Sequence, residues 1–505
     1  MGKIKKYTLS LAFGLVPLIV AAQGDAYLSS YRQTWLLSRN AAGLDAAPFE
    51  FANTAQLLYS HQDGDYHLMQ QPQTDSQFSF DTQGAASIGK IRLWGSFEYD
   101  NHHSSGSRYN TLLYDPFDEN YIYNVADTTS SDFNRQSYSM AFKAAAPLGR
   151  SLHLGLSMLY RDRISAKQND PRSESVSYLV NLAPSIVYSF SSRSSLGLAL
   201  GYGHGLERSV PTLSNSSQMQ NVFVLKGLGN YVEDMVGSGG INIMYYTTDR
   251  AEASVQYSID NASLHFLSEA LYTLSHTALR EDYSQPRDIG SSSVNDLQLN
   301  SYLVHERERS LHRLALQALL RITEGTEFST KQVTGVGWQV VSKAIMSRYN
   351  TLQADLRYDC FLTEGDSYRW QFSSGLDFTF KDDEYLSPQS EFSYSAVGAQ
   401  VQARRQFLLG SSSLAWIGTS ARVRKALGSL YSYSGVRSES RVVKEWYPHD
   451  LSIYASDYLT LALDLGYSHT LKEGISLGVK ASAKYLASSS AGSRCFIDAG
   501  VFLEF

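Results

Sequence analysis

The sequence predicts an all-β protein, a transmembrane antiparallel β-barrel of about 18 strands, although about 14 to 18 strands remain compatible with it. Three observations predict this class. Segments in which apolar and polar residues alternate recur through most of the 505 residues. Short turns alternate with long polar loops along the chain. The last segment of this kind ends on an aromatic residue, Phe505.

The first 22 residues have the order of a secretory signal. Three lysines lie among the first six residues, and an apolar run from Leu9 to Val20 precedes two alanines. This order predicts cleavage after Ala22. An uncleaved membrane anchor is the alternative, although the run is short for a membrane span. We therefore expect a signal peptide over 1–22, a hatch-like or periplasmic segment over 23–50, and the barrel over 51–505.

The composition limits the possible partners and chemistry. The formal net charge of -6 gives no reason to expect nucleic acid. The two cysteines, Cys360 and Cys495, are expected near opposite ends of the membrane span as free thiols that face lipid. We expect no cofactor and no bound metal.

The alternating segments have the length of membrane strands. In "LTLALDLGYSHTL", large apolar residues occupy every second position from Leu459 to Tyr467, and Thr460, Asp464 and Gly466 lie between them. This period of two indicates a strand with two different faces. Strands of a soluble sandwich, the alternative, are usually about five or six residues long. A tilted membrane strand needs about nine to eleven residues, which these segments reach.

The connections between the segments are of two kinds. Short turns are predicted at positions such as Gly89, Gly149 and Gly410. Long polar loops are predicted at 103–133, 209–237, 281–295 and 427–455. Short periplasmic turns and long extracellular loops are typical of outer-membrane barrels.

The C-terminal segment "FIDAGVFLEF" resembles the assembly signal of outer-membrane barrels. Asp498, Gly500, Leu503 and Phe505 occupy the positions of that signal, and only Phe502 breaks the alternation. The resemblance implies an outer-membrane location. It also implies contact with the barrel-assembly machinery, with outer-membrane lipid and with lipopolysaccharide.

If the apolar residues of each alternating segment face lipid, the residues between them face the lumen. Among these lumen-facing residues, basic side chains outnumber acidic ones. This excess favours an electropositive lumen for the passage or binding of small solutes, anionic or amphipathic ones among them. The alternative is a buttress of Arg–Asp pairs that fills the interior. The basic residues assigned to the lumen as candidate solute-binding residues are Arg161, Arg313, Arg321, Arg369, Arg404, Arg422, Arg424, Lys480 and Lys484.

Catalysis is not expected. His102, His103 and His204 lie near predicted outer strand ends, but neither a GxSxG nor an HExxH motif occurs. An outer-membrane hydrolase is therefore only a minor alternative. The loop over 114–129 is rich in Asp and Tyr and could hold calcium, although its spacing matches no calcium loop known to us.

The segment "NAAGL", from Asn40 through Ala41, Ala42 and Gly43 to Leu44, is similar to the N-P-A-G-L element of the fatty-acid-transporter barrel superfamily, with Ala41 in place of proline. In that family this segment enters the lumen as a hatch. The chain as a whole resembles uncharacterised Gram-negative outer-membrane barrels of unknown function that are found near TonB-dependent receptors. That resemblance implies a second possible role, a non-conducting scaffold or accessory subunit that docks such a receptor or a surface lipoprotein. A TonB-dependent receptor itself is not expected, because only about 30 residues separate Gln23 from the first predicted strand.

Overall fold

The computed structural model describes residues 25–46, 53–215, 217–237, 240–282, 285–364, 367–410, 412–472 and 474–505. The predicted signal peptide lies outside these residues. The strands in chain order are β1 (Thr54–Gly64), β2 (Thr74–Ile88), β3 (Ile91–Ser107), β4 (Val125–Ala126), β5 (Ser131–Pro147), β6 (Leu152–Lys167), β7 (Arg172–Ser189), β8 (Ser194–Thr212), β9 (Gln220–Gly227), β10 (Asn230–Val236), β11 (Ile243–Asp260), β12 (Leu264–Asp282), β13 (Arg287–Arg307), β14 (Ser310–Val333), β15 (Gly337–Glu364), β16 (Ser367–Leu386), β17 (Gln389–Leu408), β18 (Ser413–Tyr433), β19 (Tyr458–Lys472), β20 (Ile475–Ser488) and β21 (Ser493–Glu504).

Within the described ranges, eighteen of these strands form one closed antiparallel barrel. Each barrel strand pairs with the next along the chain, except that β3 pairs with β5 and β8 with β11. The last strand, β21, pairs with β1 from Thr54–Glu504 to Gly64–Arg494, which closes the sheet. The prediction of an 18-stranded barrel is confirmed.

The outer wall of the barrel is apolar. In β19, Leu459, Leu461, Leu463 and Leu465 are each 42 to 52% exposed, and the residues between them turn to the interior. Such exposure is unfavourable in water and is expected in hydrocarbon. The protein is therefore an outer-membrane barrel. None of the described helices has the length and apolar character needed to cross a membrane.

The predicted turns and loops agree with the strand boundaries, with one exception. The loop predicted over 281–295 is wrong, because β12 extends to Asp282 and β13 already begins at Arg287. Serines fill the first part of β13, and several of them are buried on the barrel wall. In the sequence alone, a run of polar residues at the start of a barrel strand cannot be distinguished from a polar loop, because the strand that pairs with it is not known.

The N-terminal residues form short helices inside the barrel. Helix α1 (Asp25–Arg32) is followed by a 3-10 turn (Thr34–Leu37) and a single turn, α2 (Gly43–Ala46). Trp35 and Leu44 are buried. We call residues 28–46 the hatch.

The long outer loops are folded. Strands β4, β9 and β10 form a separate three-stranded sheet. A 3-10 turn (Glu119–Tyr121) lies in the loop before β4. A π-helical turn (Val442–Trp446) and helix α3 (Tyr447–Tyr454) lie between β18 and β19. We call this sheet and these turns, over 109–127, 220–236 and 442–454, the outer cap.

Candidate functional site

Three of the predicted lumen arginines make ion pairs with acids on other strands, one on the adjacent strand and two across an intervening strand. Arg321 binds both carboxylate oxygens of Asp296 at 2.7 Å. Arg404 lies 2.8 Å from Asp464. A third pair joins Arg422 and Asp377 at 2.9 Å. Each pair offsets the positive charge of its arginine, so these three contacts favour the buttress alternative along these strands.

Four of the other lumen residues of the predicted set, Arg313, Arg424, Lys480 and Lys484, make contacts within the barrel. Arg161 lies on the inner parity of β6, beside Arg163. The remaining contacts are Arg313 over the rings of Tyr31 and Tyr302, Arg424 to the Tyr454 carbonyl at 2.7 Å, Lys480 to Gln56 Oε1 at 2.6 Å, and Lys484 over Phe496 at 3.8 Å.

Arg369 does not face the lumen, contrary to the prediction. The register between β15 and β16 shifts between the pairs Thr363–Tyr368 and Leu362–Trp370, which leaves Arg369 outside the ladder. Its side chain is 71% exposed and lies 2.7 Å from Glu364 at the periplasmic rim. A β-bulge inserts one extra residue, so the residues on one side of it point to the opposite face from the one that strict alternation predicts. The alternation pattern in the sequence does not show where such a bulge lies.

Asn40 fixes the hatch to the barrel wall. Its side chain is fully buried, and its Nδ2 atom donates to the Ile186 carbonyl at 2.9 Å and to Gln256 Oε1 at 2.8 Å. Its Oδ1 atom accepts from the backbone of Ala42 at 3.0 Å. The backbone of Ala42 also donates to Ser185 Oγ at 3.2 Å. Since buried amides are costly without partners, this set of bonds specifies one docked position.

Glycines in the wall make room for the hatch. A Cβ atom on Gly155 would overlap the backbone of Ala41 and Ala42, and one on Gly197 would lie 2.6 Å from Asn40 Nδ2. A Cβ on Gly43 would overlap the ring of Trp35. The predicted hatch segment thus lies in the lumen, in a recess that larger side chains would close.

Ionic contacts hold the rest of the hatch near the periplasmic ends of the strands. Lys143 Nζ donates to the carbonyls of Leu36 and Ser38, both at 2.7 Å. The backbone of Arg39 donates to Glu269 at 2.9 Å. On the opposite wall, the buried Leu28 of α1 packs with Phe361, and Tyr31 lies 4.8 Å from the same ring.

The loop over 109–127 crosses the lumen near the outer side. The backbone of Tyr114 donates to Glu207 of β8 at 2.8 Å, while Glu119 binds Lys381 of β16 at 2.6 Å. Burial by itself would raise the pKa of Glu119, but the adjacent Lys381 ammonium lowers that pKa below its ordinary value. Glu119 is therefore ionised, and the loop is fixed to both walls. The carboxylate of Glu119 is thus paired with the Lys381 ammonium. Among the described residues, no group of acidic, histidine or cysteine side chains is arranged to hold a metal ion.

The hairpin of β9 and β10 and helix α3 complete the outer cap. Leu228, at the hairpin turn, packs with Tyr385, Phe392 and Tyr394 on the far wall. Trp446 stacks on Tyr109 at 4.7 Å. The extracellular half of the lumen is thus covered by folded chain with its own apolar core.

Asp450 links α3 to the loop between β1 and β2. It is 8% exposed and accepts from the backbone of Met69 and from Trp446 Nε1, both at 2.8 Å. Burial raises the pKa of Asp450 to about 6, although these two hydrogen bonds act in the other direction.

A cavity of about 600 Å³ remains in the periplasmic half of the lumen. It lies against β17 to β21, β1 and β2, and reaches Ser30 of α1. We call it the vestibule, and its principal lining residues are Gln56, Arg404, Trp416, Asp464, Lys480 and Phe502. Three of these, Gln56, Trp416 and Phe502, were not identified as site residues from the sequence. The break in alternation at Phe502 was the available signal, because it places an aromatic ring on the inner parity.

The four residues of the predicted assembly signal lie along β21. Asp498 accepts from Ser482 at 2.7 Å inside the vestibule. Gly500 passes so close to β1 that a Cβ atom would overlap the Leu57 carbonyl. Leu503 pairs with Ala55, and the exposed Phe505 exchanges backbone hydrogen bonds of 3.0 and 3.1 Å with Asn53.

The histidines considered for catalysis lie apart from the vestibule. His102 is 3.5 Å from Asp75, His103 is 2.7 Å from Asn134, and His204 is 2.9 Å from Asp249. Their strands carry them toward the outer rim. Cys360 and Cys495, on the lipid-facing parity, form no disulfide.

The closed sheet, the apolar outer wall and the filled lumen define a plugged outer-membrane β-barrel. Within that class, the chain belongs to the family of unknown function DUF6850, whose family model matches residues 41–505. No curated protein matches the chain.

Solved barrels resemble the fold at low similarity. The outer-membrane transporter YddB from Escherichia coli has a TM-score of 0.40 and 7% identity, over 90% of this chain and 81% of that one. The alcaligin outer-membrane receptor FauA from Bordetella pertussis has a TM-score of 0.40 and 9% identity, over 90% and 76%. The ferric preacinetobactin receptor BauA from Acinetobacter baumannii has a TM-score of 0.38 and 8% identity, over 90% and 80%. Scores at this level support no inference about what this chain binds.

Proposed function

We propose that this protein is a gated barrel that binds a small solute in the vestibule and lets it pass only when the hatch and the outer cap move. The observation that carries the proposal is the cavity of about 600 Å³ that remains beside the hatch, in a lumen whose outer side is covered by the cap. A protein that only braced the membrane would have no need of an internal cavity with polar and aromatic walls.

The two closures differ in their chemistry, which supports a gate with two parts. The hatch is held by hydrogen bonds, such as those of Asn40 and Lys143, and by ion pairs such as Arg32 with Glu306. The outer cap is held mainly by apolar and aromatic packing, such as Trp446 on Tyr109. Polar contacts can be exchanged for water or for another polar partner, so we infer that the hatch is the part that a ligand or partner displaces.

Conductance in planar bilayers tests the gate. The wild-type protein is expected to show almost no steady conductance. Gly155→Val should expel the hatch, and replacement of both 111–125 and 220–236 by short Gly–Ser linkers should open the cap. Each change alone should leave the barrel nearly closed, whereas the combined variant should conduct.

Gly95→Val is the matched control, because a Cβ at Gly95 would meet only the Ala141 carbonyl, at 3.7 Å. Folding of every variant is checked by its heat-dependent shift in gel mobility. A large conductance in the wild type would contradict the gate. A combined variant that is folded and closed would contradict passage altogether.

A second candidate function, a scaffold for another surface protein, is favoured by the hairpin of β14 and β15. Strand β13 pairs with β14 only as far as Glu327, and β16 pairs with β15 only from Ser347 onward. In the described part of the chain, 328–346 therefore form a two-stranded ribbon whose outer edges no barrel strand pairs. Val336 and Val341 on it are 66% and 67% exposed. Free strand edges of this kind can accept an extended segment of a partner.

Partners of this second function would be a TonB-dependent receptor or a surface lipoprotein. Purification from native membranes in mild detergent should then recover one such protein in constant proportion. A variant in which 330–342 is replaced by a two-residue turn should lose it while the barrel still assembles. Repeated recovery of the barrel alone would count against this function.

A further inference from the structure

Two aromatic rings form a shelf on one wall of the vestibule. Trp416 of β18 lies opposite Gly466 of β19, and Phe502 of β21 lies opposite Gly478 of β20. A Cβ atom on either glycine would overlap the facing ring, so each ring lies flat over glycine backbone. The ring centroids are 6.0 Å apart with an angle of 48° between the planes. One face of each ring covers the wall, which leaves the other face toward the cavity.

Polar groups surround this shelf, and their charges nearly cancel. The charged lining residues are Arg404 and Lys480 against Asp464, Asp498 and Glu504, two basic and three acidic groups. Arg404 is paired with Asp464, and Lys480 donates to Gln56. An anion would meet an arginine that is already paired and a single lysine, Lys480, and it would lie close to three carboxylates.

A neutral ligand rich in hydroxyl groups suits such a site better than an ion does. Each hydroxyl donates and accepts, so it can bridge the carboxylate, amide and guanidinium groups without separating the existing pairs. The C–H faces of a sugar ring are apolar and pack well on the flat face of an indole or phenyl ring. The cavity also falls within the range of about 300–1,000 Å³ that is typical of small-ligand pockets.

We propose that the vestibule is a saccharide site that takes a short neutral oligosaccharide, stacked on Trp416 and Phe502 and hydrogen-bonded by Asp464 and Gln56. This inference rests on the proposed function, because it names the class of solute that the gated barrel binds. It also replaces the anionic solutes considered from the sequence, since those required unpaired basic residues.

The test is calorimetric titration of the full-length protein in detergent with three neutral trisaccharides, maltotriose, cellotriose and raffinose, and with citrate as the anionic probe. At least one trisaccharide should bind and citrate should not. Trp416→Ala and Phe502→Leu should each weaken sugar binding about tenfold or more. Trp370→Ala is the control, because Trp370 stacks on Phe372 on the lipid-facing parity and should change nothing. Asp464→Asn should strengthen citrate binding, because it removes one negative charge beside Arg404.

A labelling experiment separates failure of this inference from failure of the proposed function. Ser482 lines the vestibule, so Ser482→Cys, in a background with Cys360 and Cys495 changed to serine, should react with a small water-soluble maleimide. The sugar that binds should protect it. Labelling without any sugar binding, or tighter citrate binding in the wild type, would overturn the saccharide class alone. A cysteine that never reacts would show that the vestibule is sealed, and the proposed function would fail with it.

Discussion

Asn40 has no exposed surface, so each of its polar side-chain atoms needs a partner within the protein. It finds these partners in Ile186, Gln256 and Ala42, which belong to two strands of the wall and to the hatch itself. A buried amide whose hydrogen bonds are all made contributes little to the net free energy of folding. Removing it costs much more, because its former partners stay buried without a hydrogen bond. It therefore determines where the hatch docks.

Asn40→Ala is expected to weaken docking of the hatch by about 1–3 kcal/mol, because Gln256 loses a buried partner. Trypsin can cleave the hatch after Arg32 and Arg39 only when it is undocked. Cleavage there, followed by mass spectrometry, should accelerate by about 5- to 100-fold. Asn101→Ala, at an exposed position on β3, is the control. Equal rates in both variants would show that Asn40 does not hold the hatch.

Asp450 makes the outer cap sensitive to pH. Its pKa rises from 3.8 in an unfolded chain to about 6 in the cap, so the folded cap binds the proton more tightly. Where the folded state binds more protons, stability falls as pH rises, here between about pH 4 and 6 and by up to about 3 kcal/mol. Amide exchange of α3, corrected for intrinsic rates, should be slower at pH 4 than at pH 7. Asp450→Asn should remove this dependence, and slower exchange at pH 7 would contradict the assignment.

At the scale of the element, period-two alternation describes most strands correctly because the two barrel faces meet different solvents. It fails where an element departs from a simple ladder. The bulge beside Arg369 shifts parity, and the serine-rich start of β13 resembles a loop. Pro184 does not shift the register. It has no partner residue on β8, yet the register between β7 and β8 is the same on either side of it. A proline in a strand can thus cost a hydrogen bond without a bulge.

The terminal strand carries its own prediction. Deletion of Phe505 should reduce the amount of assembled barrel several-fold, because it removes the last backbone pair with Asn53 and the aromatic group at the periplasmic rim. Heat-modifiable protein in outer-membrane fractions measures this amount. Phe190→Ala is the control, since Phe190 is 54% exposed at another periplasmic turn and Phe505 is 51% exposed. An equal loss in both variants would indicate a general effect of rim aromatics.

At the scale of the whole molecule, the lumen has two closures, the hatch beside the vestibule on the periplasmic side and the outer cap on the extracellular side. The outer cap has its own core, whereas the hatch depends on the wall. Removal of either closure therefore leaves the other in place. The proposed gate would use this separation to open the two sides in turn.

Ion pairing in the lumen predicts weak charge selectivity once both closures are open. In a potassium chloride gradient, the combined variant should have a reversal potential near zero, because Arg404 and Arg422 are paired with Asp464 and Asp377. Asp377→Asn with Asp464→Asn should shift the potential toward anion selectivity. Strong anion selectivity before these changes would restore the electropositive lumen expected from the sequence.

Much of the barrel could be predicted from the sequence, because alternation, turn spacing and an aromatic terminal strand depend only on neighbouring residues and on the two solvents. The inner parity of Arg321, Arg404 and Lys480 follows from the same rule. The partners of these residues do not follow, because strands far apart in sequence supply them. The functional role implied by the hatch-like segment from Asn40 through Leu44 likewise stays a prediction.

The sequence by itself determined that two faces exist and, away from irregular places such as the bulge beside Arg369, which residues belong to each of them. Only the tertiary structure decided that the inner face is filled. The hatch docks where Gly155, Gly197 and Gln256, which lie on different strands, come together. The vestibule forms where Trp416 and Phe502 lie beside Arg404. Alternation along one strand depends on local geometry, whereas these arrangements depend on the register between strands and on the closure of β21 onto β1.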